Sequence, residues 1–400
     1  MKMFGDVNMS KRLFRITTTN EIVSLFHKNK NIKLYGAGFY LTRFLTEVEK
    51  LDKKLLDQIS CVMVSNCKEN LSDVNNIPIV SYMNVNIQEG DCIFLTLGAR
   101  YTLEVYNLLK DKGANVYEID FDMFHREAYN EVKKSIQLFI NNFPENITNL
   151  NIPFWGGTIV SWTCWWQGIE QAPELVKACI ESQRRNLPEG VHQIIITKDN
   201  YQEYIALPDY IIEKLNKGYI TLTTLSDIIR ATLLYRYGGF WMDSTLLVLQ
   251  PLDKDILNYP IYTRNLPETQ YCTNVMWSGW FIYAQAGNKL FQFLSGAFYF
   301  YYSIYDNIKY YLTVDYIIAI ACNMFSEVEK ELEAIPYNNE YALELCKHLT
   351  ENIDEKTYLD YVSKSSIQKL TYKLDWKGRE RENTVYSKII DREGIKYGKE

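Results

Sequence analysis

Four hundred residues exceed what one hydrophobic core usually serves, so two domains are expected. With 43 basic against 49 acidic side chains the formal charge is -6, which offers nucleic acid no attracting field but leaves room for an anionic small substrate met by a local basic pocket. The eight cysteines form no C-x-x-C pair and sit in ordinary apolar segments, the pattern of reduced core thiols in a cytoplasmic protein rather than of a disulfide framework or zinc site.

The start, MKMFGDVNMSKRLFR, has no apolar h-region, so no export signal is expected. NIKLYGAGFYLTRFLTEVEKL then reads as strand, glycine turn and helix, and ISCVMVSN as another apolar strand. DCIFLTLGARYTLEVYNLLKDKGANVYEI repeats strand, glycine, helix, glycine, strand. Such alternation predicts a parallel sheet covered by helices, a small Rossmann-like α/β domain over residues 1–125. Gly36 and Gly38 would let backbone approach a phosphate. Leu41, however, stands where G-x-G-x-x-G needs its third glycine, and Ser65 and Asn66 put no acid after the second strand to grip a ribose. A glycine turn serving packing competes with dinucleotide binding there, and an NAD-dependent epimerase would need the latter.

Residues 126–152 read as a helical linker, and 153–400 as a larger α/β domain. TIVSWTCWWQG is a strand ending in Trp165 and Trp166. APELVKACIESQRRNLPEG is a helix, with Pro173 in its first turn and Pro188 and Gly190 ending it. HQIIIT is the next strand and PDYIIEKLNKG the next helix. In TLTTLSDIIRATLLYRYGGFWMDST, Leu225, Ile228, Ile229 and Leu233 form a buried helical stripe, and Asp227 and Arg230 share a neighbouring face. An exposed ion pair is one reading of that couple. The other is a carboxylate and a guanidinium brought beside the strand that follows Gly238 and Gly239 and ends at Asp243. Asp243 is then either a polar strand end or a ligand for a diphosphate donor's metal, magnesium or manganese; Thr245, two residues on, is no second acid. The run LFQFLSGAFYFYY at 290–302 is short of the roughly 20 residues that cross a bilayer, and it predicts a buried helix, with a peripheral membrane contact left open by the many tyrosines and tryptophans.

WTCWWQG, LPDYIIEKLNKG, LSDIIRATLLYRYGGFWMDST and KLTYK at 369–373 together resemble the capsular polysaccharide synthesis glycosyltransferases, relatives of the sugar-binding transferases that carry a D-x-D motif on a GT-A fold. The likeness covers residues 155–375 and implies a GT-A-like domain and transfer of a sugar from a nucleotide donor, UDP favoured, to an oligosaccharide or lipid-linked glycan acceptor, mostly with retention. It implies Trp165 and Trp166 at the donor base, Asp227 for sugar hydroxyls, Arg230 for phosphate, and Asp243 as the first acid of D-x-D, holding the divalent ion. Thr245 departs from that motif. NVMWSGWFIYAQAGNKLF at 274–291 resembles the acceptor side, and YYLTVDYII at 310–318 the helix whose Asp315 would orient an acceptor hydroxyl; a hydrogen-bonded structural acid is the other reading. Lys373 would meet the diphosphate. The histidines at 27, 125, 192 and 348 are dispersed and suggest no metal cluster. An inactive glycan-binding or scaffold subunit is the competing functional class.

Overall fold

The computed structural model describes residues 12–65, 72–143, 158–266, 277–376 and 381–394. The chain divides into two compact units, Met1–Ala128 and Tyr129–Glu400, both of α/β architecture.

In the first unit the elements are β1 (Leu13–Ile16), α1 (Thr19–Lys28), β2 (Ile32–Tyr35), α2 (Phe39–Leu51), β3 (Ile59–Val64), β4 (Asp73–Val74), β5 (Ile77–Ser81), β6 (Cys92–Leu95), α3 (Thr102–Leu109) and β7 (Asn115–Ile119). They form one sheet in the order β1-β7-β6-β2-β3-β5-β4, parallel throughout except for the edge pair β4–β5. Every side chain of β2 (IKLY) and β6 (CIFL) is buried, as expected for central strands covered on both faces. The single charge among them, Lys33, is buried against Asp91 at 2.9 Å. Gly36, at φ +113°, is required by packing: a Cβ there would lie 2.6 Å from the Thr96 carbonyl oxygen. Thr96 Oγ1 donates to the carbonyls of Tyr35 and Gly36 at 3.1 and 2.7 Å, fastening the ends of β2 and β6 together. Leu41, in the third-glycine position, points into the core.

The helix α4 (Asp122–Ser135) spans the division and α5 (Gln137–Asn141) follows. The second unit then runs β8 (Ile159–Cys164), α6 (Glu174–Asn186), β9 (Val191–Ile196), α7 (Asp209–Asn216), α8 (Leu222–Tyr237), β10 (Gly239–Met242), β11 (Leu246–Val248), β12 (Ile261–Thr263), β13 (Phe281–Ala284), α9 (Lys289–Ile304), α10 (Thr313–Met324), α11 (Ser326–Glu333), α12 (Glu344–Lys347), α13 (Glu355–Lys364), β14 (Ile367–Lys369) and α14 (Val385–Arg392). The main sheet has the order β12-β13-β10-β8-β9. β9, β8 and β10 are parallel, whereas β13 runs antiparallel to both β10 and β12, so the sheet is mixed rather than wholly parallel. A separate antiparallel pair, β11–β14, brings residues 367–369 beside 246–248.

The run at 290–302 lies in α9, a helix with nine buried residues capped by the Asn288 side chain, which accepts from the Leu290 amide at 3.0 Å. Among the described residues no helix is long and apolar enough to cross a membrane. α8 is nearly as buried; Thr221 caps it and Gly238 and Gly239 end it at φ +65° and +86°. A Cβ on Gly238 would meet the Ala286 amide nitrogen at 2.5 Å, and one on Gly239 would collide with the Val160 carbonyl, so only glycines let this turn pass between β8 and β13. Trp162, fully buried on β8, donates its indole N–H to the Gly238 carbonyl at 2.9 Å and fixes the turn from below. The cysteines at 61, 92, 164, 179, 322 and 346 are free thiols; those at 67 and 272 lie outside the described residues.

Candidate functional site

Because β8 and β10 are parallel neighbours, with Trp241 in register with Trp162, Asp243 and the Cys164–Trp165–Trp166 segment leave the sheet at the same edge. Asp243 follows the last residue of β10. Its amide donates to the Trp280 carbonyl at 3.0 Å, and its own carbonyl accepts from the Leu246 amide at 2.9 Å, closing a turn that fixes the carboxylate's position.

That turn is held from the other side by α6. Gln183 is fully buried and donates its amide to the carbonyls of Asp243 and Leu246 at 2.9 and 2.8 Å, while its oxygen accepts from Thr163 at 2.9 Å and Gln193 at 3.1 Å. Ser182 Oγ accepts from the Val248 amide at 2.9 Å, and Asn186 donates to the Val248 carbonyl at 3.0 Å. β11 pairs with β14 on one side, and this polar stripe satisfies backbone groups that would otherwise be buried without partners. The signal lay in the sequence, in the uncharged polar residues Ser182, Gln183 and Asn186 on the otherwise apolar buried face of the helix. The apolar periodicity of the same face masks it.

Two basic groups and an indole gather around the Asp243 carboxylate. Oδ1 accepts from Trp241 Nε1 at 3.0 Å and lies 3.9 Å from Arg230 Nη2; Oδ2 accepts from Lys369 Nζ at 2.8 Å. Lys369 also donates to Thr245 Oγ1 at 2.6 Å. Arg230 bonds Asp227 Oδ1 at 2.9 Å, with its guanidinium 5.1 Å from the Trp241 ring centre. Gly279 abuts Nη1 so closely that any side chain there would displace the guanidinium. The Asp227–Arg230 pair expected on one helix face therefore forms, but buried: the arginine side chain is only 10% exposed, which takes the pair out of the weak, screened class of surface bridges. The guanidinium lies between the two carboxylates, bonded to Asp227 and 3.9 Å from Asp243.

The carboxyls differ in kind. Burial alone would raise Asp243; Lys369 first and Arg230 second, with the hydrogen bonds from Lys369 and Trp241, outweigh it and hold the group below the usual carboxylate range. Burial pushes Asp227 up to about 6 against the pull of Arg230, and the charges of Asp243 and Asp315 add to the rise. Asp315, in the first turn of α10, accepts from Trp277 Nε1 at 3.2 Å and is also raised by burial, in part countered by that hydrogen bond and by Arg230. Arg230 lowers all three acids. Cys164 is nearby, and burial together with the Asp243 charge pushes its thiol up to about 12, which leaves it protonated and inert.

The other expected residues are placed less centrally. Trp165 packs beside Ala172, Val176 and Ile180 with Tyr372 edge-on at 5.5 Å, and Trp166 lies against Tyr201 at 5.1 Å, so each ring already has an aromatic partner. Lys373 is exposed, and Lys369, four residues earlier in the same KLTYK segment, is the lysine that reaches Asp243. Residues 274–276 of the expected acceptor segment lie outside the described residues.

Magnesium or manganese was expected at Asp243. Among the described residues no group of three or more His, Cys, Asp or Glu side chains could hold a metal. Both Asp243 oxygens already accept hydrogen bonds, the Thr245 hydroxyl is taken by Lys369, and an ammonium stands at Oδ2. This donor set fits a divalent ion poorly.

A helix delivering Asp227 and Arg230, a glycine turn and a strand ending in Asp243 define an α/β protein with a desolvated acid and base cluster at a sheet edge. The chain belongs to the capsular polysaccharide synthesis protein family, whose profile matches residues 107–389. That span is wider than residues 155–375 and begins inside the first unit, in α3. No curated protein matches the chain.

Proposed function

We propose that the second unit is a GT-A-like glycosyltransferase domain, preceded by a Rossmann-like domain, and that it moves a sugar from a nucleoside diphosphate donor, UDP favoured, to a growing surface or capsular glycan. The observation that carries this reading is the grouping of Asp227, Asp243, Asp315, Arg230 and Lys369 where β8 and β10 end. A transferase has to manage charge that develops on a leaving diphosphate and partial positive charge on the sugar, and a desolvated set of fixed carboxylates and cations does that without reorganising. Family membership in capsular polysaccharide synthesis supports the substrate class.

In this reading Asp227 takes the sugar hydroxyls, Asp243 faces the developing positive charge at the anomeric carbon, and Asp315 orients the acceptor hydroxyl. Trp165 and Trp166 border the donor base. Arg230 positions Asp227 and Asp243. The donor's anomeric C–O bond breaks as the acceptor oxygen bonds the same carbon. With retention, the acceptor proton passes to the departing phosphate oxygen, so no separate base is required. Nucleotide sugars place the reaction in the cytoplasm, and a lipid-linked acceptor would bring the enzyme to the membrane's inner face, where the exposed Ile304, Tyr305 and Tyr311 could meet it.

The test is turnover of UDP-, GDP-, CMP- and dTDP-sugars, with and without oligosaccharide or lipid-linked acceptors, by wild type and Asp243→Asn. One donor should be bound and slowly hydrolysed, and the variant should lose about 100-fold or more in turnover, the scale of deleting one preorganised electrostatic contact. If every donor fails in both proteins while glycans bind, the chain is a glycan-binding subunit instead.

A further inference from the structure

The donor-site reading leaves open what neutralises the diphosphate, and the side chains around Asp243 answer it within the chain. A D-x-D site closes two carboxylates on one divalent ion. Here Thr245 stands in the second acid's place, and Asp243 Oδ2 and Thr245 Oγ1 both accept hydrogen bonds from the same ammonium, Lys369 Nζ, at 2.8 and 2.6 Å. The charge balance is kept with one unit of each sign in place of two. Neighbouring acids do not restore a ligand set: Asp227 Oδ1 is bound to Arg230 and Asp315 Oδ1 to Trp277. A divalent ion on Asp243 would also have to sit against Lys369 and within reach of Arg230, an arrangement of like charges that a quarter-exposed carboxylate does not screen.

Lys369 is also positioned to do the ion's work. An ammonium has three donors, and among the described residues Asp243 and Thr245 account for two, leaving one for a phosphate oxygen. Its side chain is 24% exposed, open enough to be reached and dry enough for its charge to count. Strand β14 fixes it in register, with Lys369 opposite Leu246 and its amide donated to the Ala342 carbonyl at 2.7 Å. We infer that Lys369 takes the divalent ion's place, so that this site binds a nucleoside diphosphate without metal. The inference rests on the donor-site reading above.

Calorimetry with UDP, GDP, CDP and dTDP, in EDTA and again in manganese, tests it alongside the electron paramagnetic resonance signal of free manganese. Wild type should bind one of the four with affinities within about threefold in the two conditions, and should leave the manganese signal unchanged. Lys369→Ala should lose about tenfold or more in both conditions, and Lys369→Arg should recover part of that loss. Chelator-sensitive binding, with manganese taken up by wild type and not by Asp243→Asn, overturns the lysine assignment and leaves the donor site standing. Undiminished binding by a folded Lys369→Ala overturns it as well. Failure of all four nucleotides in both conditions removes the donor site itself. The wild-type comparison needs no variant, so misfolding of Lys369→Ala does not blunt the test.

Discussion

Each unit turns its chain on closely spaced glycines, and the two turns end in different environments. At Gly36 the backbone is squeezed against the Thr96 carbonyl, and the neighbours are apolar side chains and hydrogen-bonded main chain. At Gly238 and Gly239 the chain is squeezed just as hard, but the helix before it and the strand after it carry Asp227, Arg230 and Asp243 into one desolvated cluster. A glycine turn therefore reports close backbone approach and nothing more. What marks a site is the set of ionisable groups brought out of water beside it.

The comparison breaks most visibly at the glycines themselves. Gly239→Ala combines positive φ with a collision against the Val160 carbonyl and should cost about 4 kcal/mol or more in urea denaturation. Gly38→Ala, with negative φ and nothing near its Cβ position, should stay within about 1 kcal/mol.

Next in size is the support under Asp243. Gln183→Leu takes from the buried Leu246 carbonyl its donor and from the Asp243 carbonyl one of its two, and should cost about 2 kcal/mol. It should also weaken donor turnover through the position of Asp243, a loss that a purely structural glutamine would not cause in the fraction that stays folded.

A smaller effect concerns pH. Asp227 is raised to about 6 in the folded chain, so between its unfolded value near 4 and that point the native state holds the extra proton, and this group's contribution to stability falls as pH rises. Asp243, held low, acts with the opposite sign, its contribution being present above the unfolded value and lost as pH falls. Thermal melts from pH 4 to 7 should therefore show Asp227→Asn lacking a downward slope that wild type has; equal slopes would mean that Asp227 is not raised. Least of all, Lys373→Ala should alter nucleotide affinity by less than about threefold, because its exposed side chain lies in high dielectric.

What the sequence made legible was local. Alternating apolar runs and helical stripes announced the α/β architecture and the buried helix α9, and three-residue spacing put Asp227 beside Arg230. Periodicity says little about which distant segments pair. Lys369 meets Asp243 across 126 residues through a two-stranded sheet whose strands are three residues each, too short to stand out from a loop. The antiparallel β12 and β13 read no differently from parallel strands, because an apolar run of three or four carries no sign of direction. The burial of the Asp227–Arg230 pair was hidden for a related reason: the residues that enclose it, Trp241, Gly279 and Asp243, come from other elements.

The 126-residue span between Lys369 and Asp243 also sets a clock. A ribosome adding about 5–20 residues per second makes Lys369 roughly 6–25 seconds after Asp243. Late in that interval every strand of the main sheet, the glycine turn and Arg230 have been made, while Asp243 still lacks the cation that lowers its pKa most. Competence arrives late in synthesis, and a chain cut short before residue 369 lacks the lysine that balances the Asp243 charge.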